Sequence, residues 1–406
     1  MSEEETIPSS RNRTVAEEQD ADSPGNLLVG KDSAVTPLLS VIMPTLNEED
    51  GIAECIEMVK RGISKIGVTT EIIISDSSTD RTPEIAREMG AIVVEPDKPG
   101  YGYAYRYAFD HARGRYIVIG DADTTYDFED IPRLLEEVTH NDADMVMGSR
   151  LEGEIKSGAM PPLHQYIGNP LLTKFLNTFY GAGVSDAHSG FRIIEREAYE
   201  ELELKTTGME YASEMIMEAG ARDMTIKEVP ITYHEREGDA TLDSFSDGWR
   251  HVKFMLVNAP GYLFSVPAMF LSGIGLLVMF LAYTGITING VHVGLHSMIA
   301  GSLLAISGYQ VGSLGVFATV AGNPIKQSRQ PIMGRILKQL QLEHAATLGV
   351  LLFAGGTVYA AYLVIQWVSS GFVELPLLMD DILAFTAIVL GVQTIFSAFL
   401  VSTISE

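Results

Sequence analysis

The chain has 406 residues, enough for more than one domain. Its 53 acidic against 28 basic residues leave a net charge of −25, which excludes the basic stripes that nucleic-acid binding needs and a polybasic anchor to anionic lipid. The same excess suits a solvated surface in high salt, where ions screen carboxylate repulsion, and points to a halophilic source.

Residues 1–36 are polar and hold no long apolar run. They read as a disordered acidic tail and not as a signal or transit peptide, so the domain that follows is expected to start in the cytoplasm. From 37 to 243, short apolar runs alternate with helical stretches. "LLSVIM" (38–43), "EIIIS" (71–75), "AIVVE" (91–95), "YIVIG" (116–120) and "DMVMG" (144–148) are strand candidates. Glu48 to Ile66 and Thr82 to Met89 are helix-like. This alternation predicts a parallel, doubly wound α/β sheet. The one cysteine, Cys55, permits neither an intramolecular disulfide nor a zinc cluster. It shares a helical apolar pattern with Ile52, Ile56 and Val59 and reads as core.

The segment 244–259 carries Trp249, Arg250, Lys253 and Phe254 and suits a juxtamembrane helix at the membrane surface. From 260 to 406 the composition changes. Four uncharged apolar stretches, 260–283, 298–320, 345–368 and 382–402, each reach the roughly 20 residues that cross a bilayer. The loop at 323–339 holds Lys326, Arg329, Arg335 and Lys338, while the loops near 284–297 and 369–381 hold neither Lys nor Arg. Positive loops stay inside. The α/β domain, the basic loop and the C-terminus are therefore expected in the cytoplasm, on a multi-pass protein of the cell membrane.

In "YIVIGDADTTYD" (116–127) an apolar strand runs into two aspartates. Strand interiors reject Asp, so Asp121 and Asp123 belong at the strand exit. Open parallel sheets bind ligands at such exits, and two more strands end in polar loops, "PTLNEED" (44–50) and "SDSSTD" (75–80). No phosphate-gripping glycine loop follows the first strand. "GYGYAY" (100–105) is a poor dinucleotide fingerprint, so a nicotinamide cofactor is rejected. A diphosphate can sit beside Asp121 and Asp123 if Mg2+ or Mn2+ lies between them, since such ions take one or two carboxylates plus phosphate oxygens.

"SVIMPTLNEE", "SDSSTDRT", "ARGRYIVIGDAD" and "GSR" occur in an order that resembles family 2 glycosyltransferases of the GT-A fold. "GAMPPLHQYIGNPLLTKFLN", "SDAHSGFRIIERE", "TTGMEYASEM" and "FSDGWRHVKFML" look like the membrane-attached polyprenyl-phosphate (dolichyl-phosphate) members, such as dolichyl-phosphate mannose or glucose synthases. The match covers about 40–260. It implies an inverting transfer of a hexose from a nucleotide-diphosphate sugar, of UDP-glucose or GDP-mannose type, to polyprenyl phosphate, giving a lipid-linked donor for glycan assembly such as protein glycosylation.

The resemblance also implies roles. Pro44, Leu46 and Glu48 would line the base and ribose pocket, and Asp76 would bond the base. Asp121 and Asp123 would hold metal and donor phosphates. Arg150, Arg192 and Arg236 would grip phosphate groups, for which the guanidinium fork is suited. Ser75, Thr125, Gln165 and Thr241 depart from frequent family residues. A processive polysaccharide synthase is the alternative, but no "QxxRW"-like segment is present. A transporter would place ionisable residues within its spans, and nucleotidyl transferases rarely carry four spans.

Overall fold

The computed structural model describes residues 27–237, 252–255, 257–258, 260–288, 291–321 and 342–405. The chain divides into two compact units, Met1–His251 and Val252–Glu406. Of the expected interface helix, 252–255 and 257–258 are helical; the rest of it, the "GDATL" segment (238–242) and the basic loop at 323–339 lie outside the described residues.

The first unit runs β1 (Leu39–Thr45), α1 (Ile52–Ile66), β2 (Thr70–Asp76), α2 (Thr82–Glu88), β3 (Ile92–Val94), α3 (Tyr101–Phe109), β4 (Tyr116–Ile119), α4 (Ile131–His140), β5 (Met145–Ile155), α5 (Asn169–Tyr180), β6 (Arg192–Glu195), α6 (Arg196–Leu202), α7 (Tyr211–Ala221) and β7 (Ile226–Tyr233). The strands form one sheet in the order β3-β2-β1-β4-β6-β5-β7. All five strands expected from the sequence are present.

The sheet is mixed, which corrects the expectation of a parallel one. β1 to β4 are parallel to one another, but β6 runs against both β4 and β5. The cause lies in how the chain enters β6. Asn177, near the end of α5, donates to Val184 O (2.7 Å) and accepts from Val184 N (3.0 Å). Arg192, the first residue of β6, pairs with Ile119, the last of β4. β6 thus starts at the edge where β4 ends.

α1 and α4 bury apolar faces on the sheet. Ile52, Cys55, Ile56, Val59 and Ile63 from α1 and Leu134, Leu135 and Val138 from α4 pack with Val41, Met43, Ile72, Ile74 and Val118. Each such Val, Leu or Ile contributes about 1.5–3 kcal/mol on burial.

The folded part begins no later than Leu27, ten residues before the expected end of the tail. Val29 N donates to Thr70 O, and Thr70 N to Leu27 O, both at 2.8 Å. Arg113 donates to Gly30 O (2.9 Å) and Ser33 O (3.0 Å) while its Nε bonds buried Glu71 (2.8 Å). Val29 is buried and Leu27 and Leu28 pack against the core, so the segment gives the fold side chains as well as backbone groups.

The second unit holds α8 (Pro260–Thr284), α9 (Leu295–Ala321), α10 (Leu342–Ser369) and α11 (Leu378–Ser405), with a short hairpin of β8 (Thr287–Ile288) and β9 (Val291–His292). All four helices are long and apolar enough to cross a membrane. Within this unit α8 packs on α9, and α10 on α11, through glycines. A methyl group on Gly275 would lie 2.4 Å from Ala305 N, and one on Gly391 the same distance from Phe353 N. Such small residues let membrane helices approach backbone to backbone. α9 meets α11 through hydroxyls, Ser302 with Thr386 (2.7 Å) and Tyr309 with Thr394 (2.8 Å). At one end Asp380 accepts from Tyr359 (3.0 Å) and Tyr283 (3.2 Å).

Candidate active site

The loops after β1 and β2 are stitched together. Thr45 and Asp76 face each other in register, and Thr45 Oγ1 donates to Asp76 Oδ1 at 2.8 Å. Asn47 N bonds Ser78 Oγ (2.8 Å) and Asn47 Oδ1 accepts from Thr79 N (2.8 Å). Glu48 N donates to Thr82 Oγ1 at 2.9 Å. Asn47 is left-handed, at φ 58°, a conformation Asn tolerates. Of the expected base-pocket residues, Pro44 is part-buried in β1, Leu46 is exposed and Asp76 is buried.

The loop after β4 carries the two aspartates. Asp121 Oδ1 accepts from the Tyr101 hydroxyl at 2.7 Å. Its Oδ2 faces Gly190, where a Cβ would come within 2.9 Å of it. Asp123 Oδ1 accepts from Thr125 Oγ1 (2.5 Å) and Thr125 N (3.2 Å). Burial and the neighbouring Asp123 carboxylate raise the pKa of Asp121 above its ordinary value. Between them stands Ala122, and after them Thr124 at φ 61°. A β-branched residue in this region is strained. The strain is held by Thr124 Oγ1, which donates to Asp123 O at 2.7 Å.

The chain after β7 lies along this loop. His234 N donates to Thr125 O (2.9 Å) and Glu237 N to Asp123 O (3.3 Å). Arg236, carried by this segment, bonds Glu48 through Nη2 and places Nη1 3.5 Å from Asp123 Oδ2. Burial pushes the Glu48 carboxyl up to about 7, against the pull of Arg236. Glu48, Asp123 and Arg236, far apart in sequence, therefore meet at one point.

The other two arginines are each bonded to groups of the protein. Arg150 is buried and forms a two-pronged pair with Asp186, Nε to Oδ2 at 2.7 Å and Nη2 to Oδ1 at 2.9 Å. Against the cost of burial, that guanidinium holds the Asp186 carboxyl below its usual range. Arg150 also lines a cavity of about 270 Å³ with Gln165, Tyr166 and Pro170.

Arg192 is not a phosphate ligand in this structure, and that assignment is corrected. It is 0% exposed. Its guanidinium donates to three carbonyls, Ser189 O (2.9 Å), Ala212 O (2.9 Å) and Ala187 O (3.1 Å). The side chain is consumed in holding the 186–191 turn, which delivers Asp186 to Arg150 and Gly190 to Asp121.

Tyr101, Asp186 and Gly190 complete the site without being singled out by the sequence, and Thr125, marked there only as a departure from the family, bonds Asp123. The signal for Tyr101 lies in "GYGYAY", where two tyrosines, Tyr101 and Tyr105, face Asp121. The signal for Asp186 is that an acid follows Ser185 in a turn next to an arginine-bearing strand.

Asp121 Oδ2 and, where Arg236 Nη1 yields its 3.5 Å ion pair, Asp123 Oδ2 are the oxygens these acids can offer a cation. They suit Mg2+ or Mn2+, which use one or two carboxylates and complete their shells with water and phosphate. Among the described residues there is no group of three or more His, Cys, Asp or Glu placed to hold a metal alone.

Comparison with known proteins identifies the family. Residues 40–203 match the family described as Glycosyl transferase family 2, and residues 316–405 match the Glycosyltransferase family 2 C-terminal transmembrane region. The chain is 56% identical over 380 residues to the low-salt glycan biosynthesis hexosyltransferase Agl6 of Haloferax volcanii, covering 94% of this chain and 92% of that protein. It is 35% identical over 212 residues to a dolichyl-phosphate hexose transferase of the same organism, covering 52% of this chain and 89% of the relative. Among solved structures, glucosyl-3-phosphoglycerate synthase from Mycobacterium tuberculosis in complex with Mn2+, UDP and glucosyl-3-phosphoglycerate aligns at a TM-score of 0.45 and 24% identity, over 55% of this chain and 80% of that one. With a GT-A-like mixed sheet, four spanning helices and a relative alike over nearly its whole length, the chain belongs to glycosyl transferase family 2 and is a membrane glycosyltransferase.

Proposed function

We propose that this enzyme is a hexosyltransferase of glycan assembly that moves a hexose from a nucleotide-diphosphate sugar to polyprenyl (dolichyl) phosphate. The observation that carries the reading is the pair Asp121 and Asp123 at the carboxyl end of β4, each with one oxygen already tied. The names of the two Haloferax relatives add support for hexosyl transfer and, in one case, for a dolichyl-phosphate acceptor.

In this reading Pro44, Leu46 and Glu48 line the base and ribose, and Asp76, fixed by Thr45, bonds the base. Asp121 and Asp123 hold Mg2+ or Mn2+ at the diphosphate. When bound, that ion offsets negative charge on the departing nucleoside diphosphate. Arg236 lies within reach of the same charge and leaves Glu48 or Asp123 to meet it. A phosphate oxygen of the acceptor attacks the anomeric carbon, the bond from that carbon to the diphosphate breaks, and the centre inverts. The second pKa of a phosphate monoester lies near neutrality, so the nucleophile already carries charge and needs no strong general base.

The Arg150 cavity supports a lipid acceptor. A guanidinium lines it with Gln165 and Tyr166, while Leu163, Ile167 and Leu171 next to it in sequence are exposed. A cation beside an apolar surface fits a phosphate on a long hydrocarbon chain. The four spans and the basic 323–339 sequence support a catalytic unit on the cytoplasmic side.

The test is to incubate membranes holding the enzyme with polyprenyl phosphate and a panel of radiolabelled nucleotide sugars, then extract lipid. Label should enter the lipid phase with one donor. If polyprenol without phosphate is labelled as well as the phosphate, the acceptor assignment is wrong; if no donor labels lipid, the function is.

A further inference from the structure

We infer that Tyr101 is a positioning residue that restricts Asp121 to a single ligand oxygen and so biases the site towards Mg2+ or Mn2+ over Ca2+. This rests on the divalent cation proposed above at Asp121 and Asp123.

A phenolic hydroxyl that donates to a carboxylate occupies one of its two oxygens. The Tyr101 hydroxyl does so at Asp121 Oδ1, 2.7 Å away, and the Tyr105 hydroxyl stands 3.5 Å from the same atom. Rotation of the carboxylate would break that bond. On the other side Oδ2 abuts Gly190, whose backbone N donates to the Tyr126 hydroxyl at 2.7 Å. The carboxylate is thus held between a phenol and a backbone, with Oδ2 as its one open oxygen.

The phenol itself is braced. Tyr101 meets Tyr105 edge to face at 5.1 Å, and Tyr105 stacks on Tyr211 at 5.4 Å with rings 4° apart. Tyr211 in turn shares a 2.9 Å hydrogen bond with Tyr199. α3, α6 and α7 therefore converge behind one hydroxyl.

Asp123 has Thr125 on its Oδ1 and Arg236 Nη1 3.5 Å from its Oδ2, so it too can give an ion one oxygen, once Arg236 turns to the diphosphate. Two carboxylates that each give one oxygen suit a small ion that keeps several waters in an octahedron. Ca2+ takes 6–8 oxygens and commonly binds carboxylates through both. Fixing Oδ1 of each acid withholds that option.

The test uses the full chain in detergent, titrated with Mn2+ followed by its electron paramagnetic resonance, and with Ca2+ as competitor. An acidic surface binds cations loosely, so the signal lost in Asp123→Ala defines the site. Tyr101→Phe keeps the ring stacking and removes only the hydroxyl. Loss of an outer-shell partner typically weakens metal binding by about 10–100-fold. We expect Tyr101→Phe to weaken Mn2+ by at least about tenfold and Ca2+ by clearly less, so that the Mn2+/Ca2+ ratio falls. Equal weakening of both ions, with a lower thermal midpoint, would make Tyr101 a packing residue and overturn the inference. Unchanged Mn2+ binding would do the same. Absence of any Asp123-dependent Mn2+ signal in the wild type would instead defeat the metal reading on which the inference rests.

Discussion

Arg150 and Asp186 face each other as a buried fork on fork, with side chains 8% and 0% exposed. Removing one charge from such a pair leaves the other uncompensated, at about 3–5 kcal/mol. Asp186→Ala should therefore lower the thermal midpoint strongly, whereas truncation of exposed Glu54, which pairs with Arg61 on α1, should cost less than about 1 kcal/mol and hardly move it. Thermal unfolding of the two variants in the same detergent checks this. Equal midpoints would mean that the buried pair contributes little.

Arg192→Ala should destabilise the protein, not merely slow it. The substitution orphans the carbonyls of Ser189, Ala212 and Ala187, and each buried unpaired group costs about 1–3 kcal/mol. Transfer activity and folded fraction should fall together. A variant with normal unfolding and selectively lost activity would restore a phosphate role for this arginine.

Asp123→Ala should abolish transfer while the protein still folds, since Asp123, although buried, stands at a strand exit outside the apolar core and its loss orphans only Thr125 groups. Loss of an electrostatic group at the reacting phosphate should cost at least about a hundredfold in rate. Excess chelator on the wild type should do the same, with recovery on adding Mg2+ or Mn2+. Activity that persists in chelator removes the metal from the mechanism.

Cys55 should be silent to thiol reagents. It is 0% exposed in α1, and burial pushes its thiol up to about 12. The thiolate is the reactive form, so a raised pKa means still less of it at pH 8. Labelling should occur only as the first unit unfolds, at the rate of unfolding. Rapid labelling of the native enzyme would show that α1 opens locally.

How far the sequence could be read depended on where the chemistry showed. β1, β2, β4 and β5 are apolar runs flanked by polar loops, and each is legible. β6 has only Ile193 and Ile194 between charged neighbours, and β7 interleaves Lys227 and Glu228 with a proline, Pro230, as an outer strand allows. Neither carries a run long enough to register. Asp121 and Asp123 are legible because they interrupt an apolar run. Arg192 is not, because an arginine in a polar turn looks the same whether it meets phosphate or carbonyl oxygens. Its burial decides, and burial here follows from the reversed direction of β6. That reversal also places useful residues before the strand, at 186–190, where a parallel strand would put them after it.

The membrane unit is joined in two different ways, and they do not yield alike. Where glycines bring backbones together, no side chain can rearrange to absorb a displacement, so each helical hairpin is expected to move as one body. The hydroxyl seam between α9 and α11 is different. Thr386 Oγ1 also reaches Ile382 O at 2.6 Å, and Thr394 Oγ1 reaches Leu390 O at 2.7 Å. Both threonines keep a partner on their own helix if the seam parts. Spin-label pairs across the seam should accordingly give broader distance distributions than pairs within either hairpin. Among the described residues the Tyr283–Asp380 bond ties the same two hairpins at one end, and beyond it the seam can open in hydrocarbon without stranding either threonine.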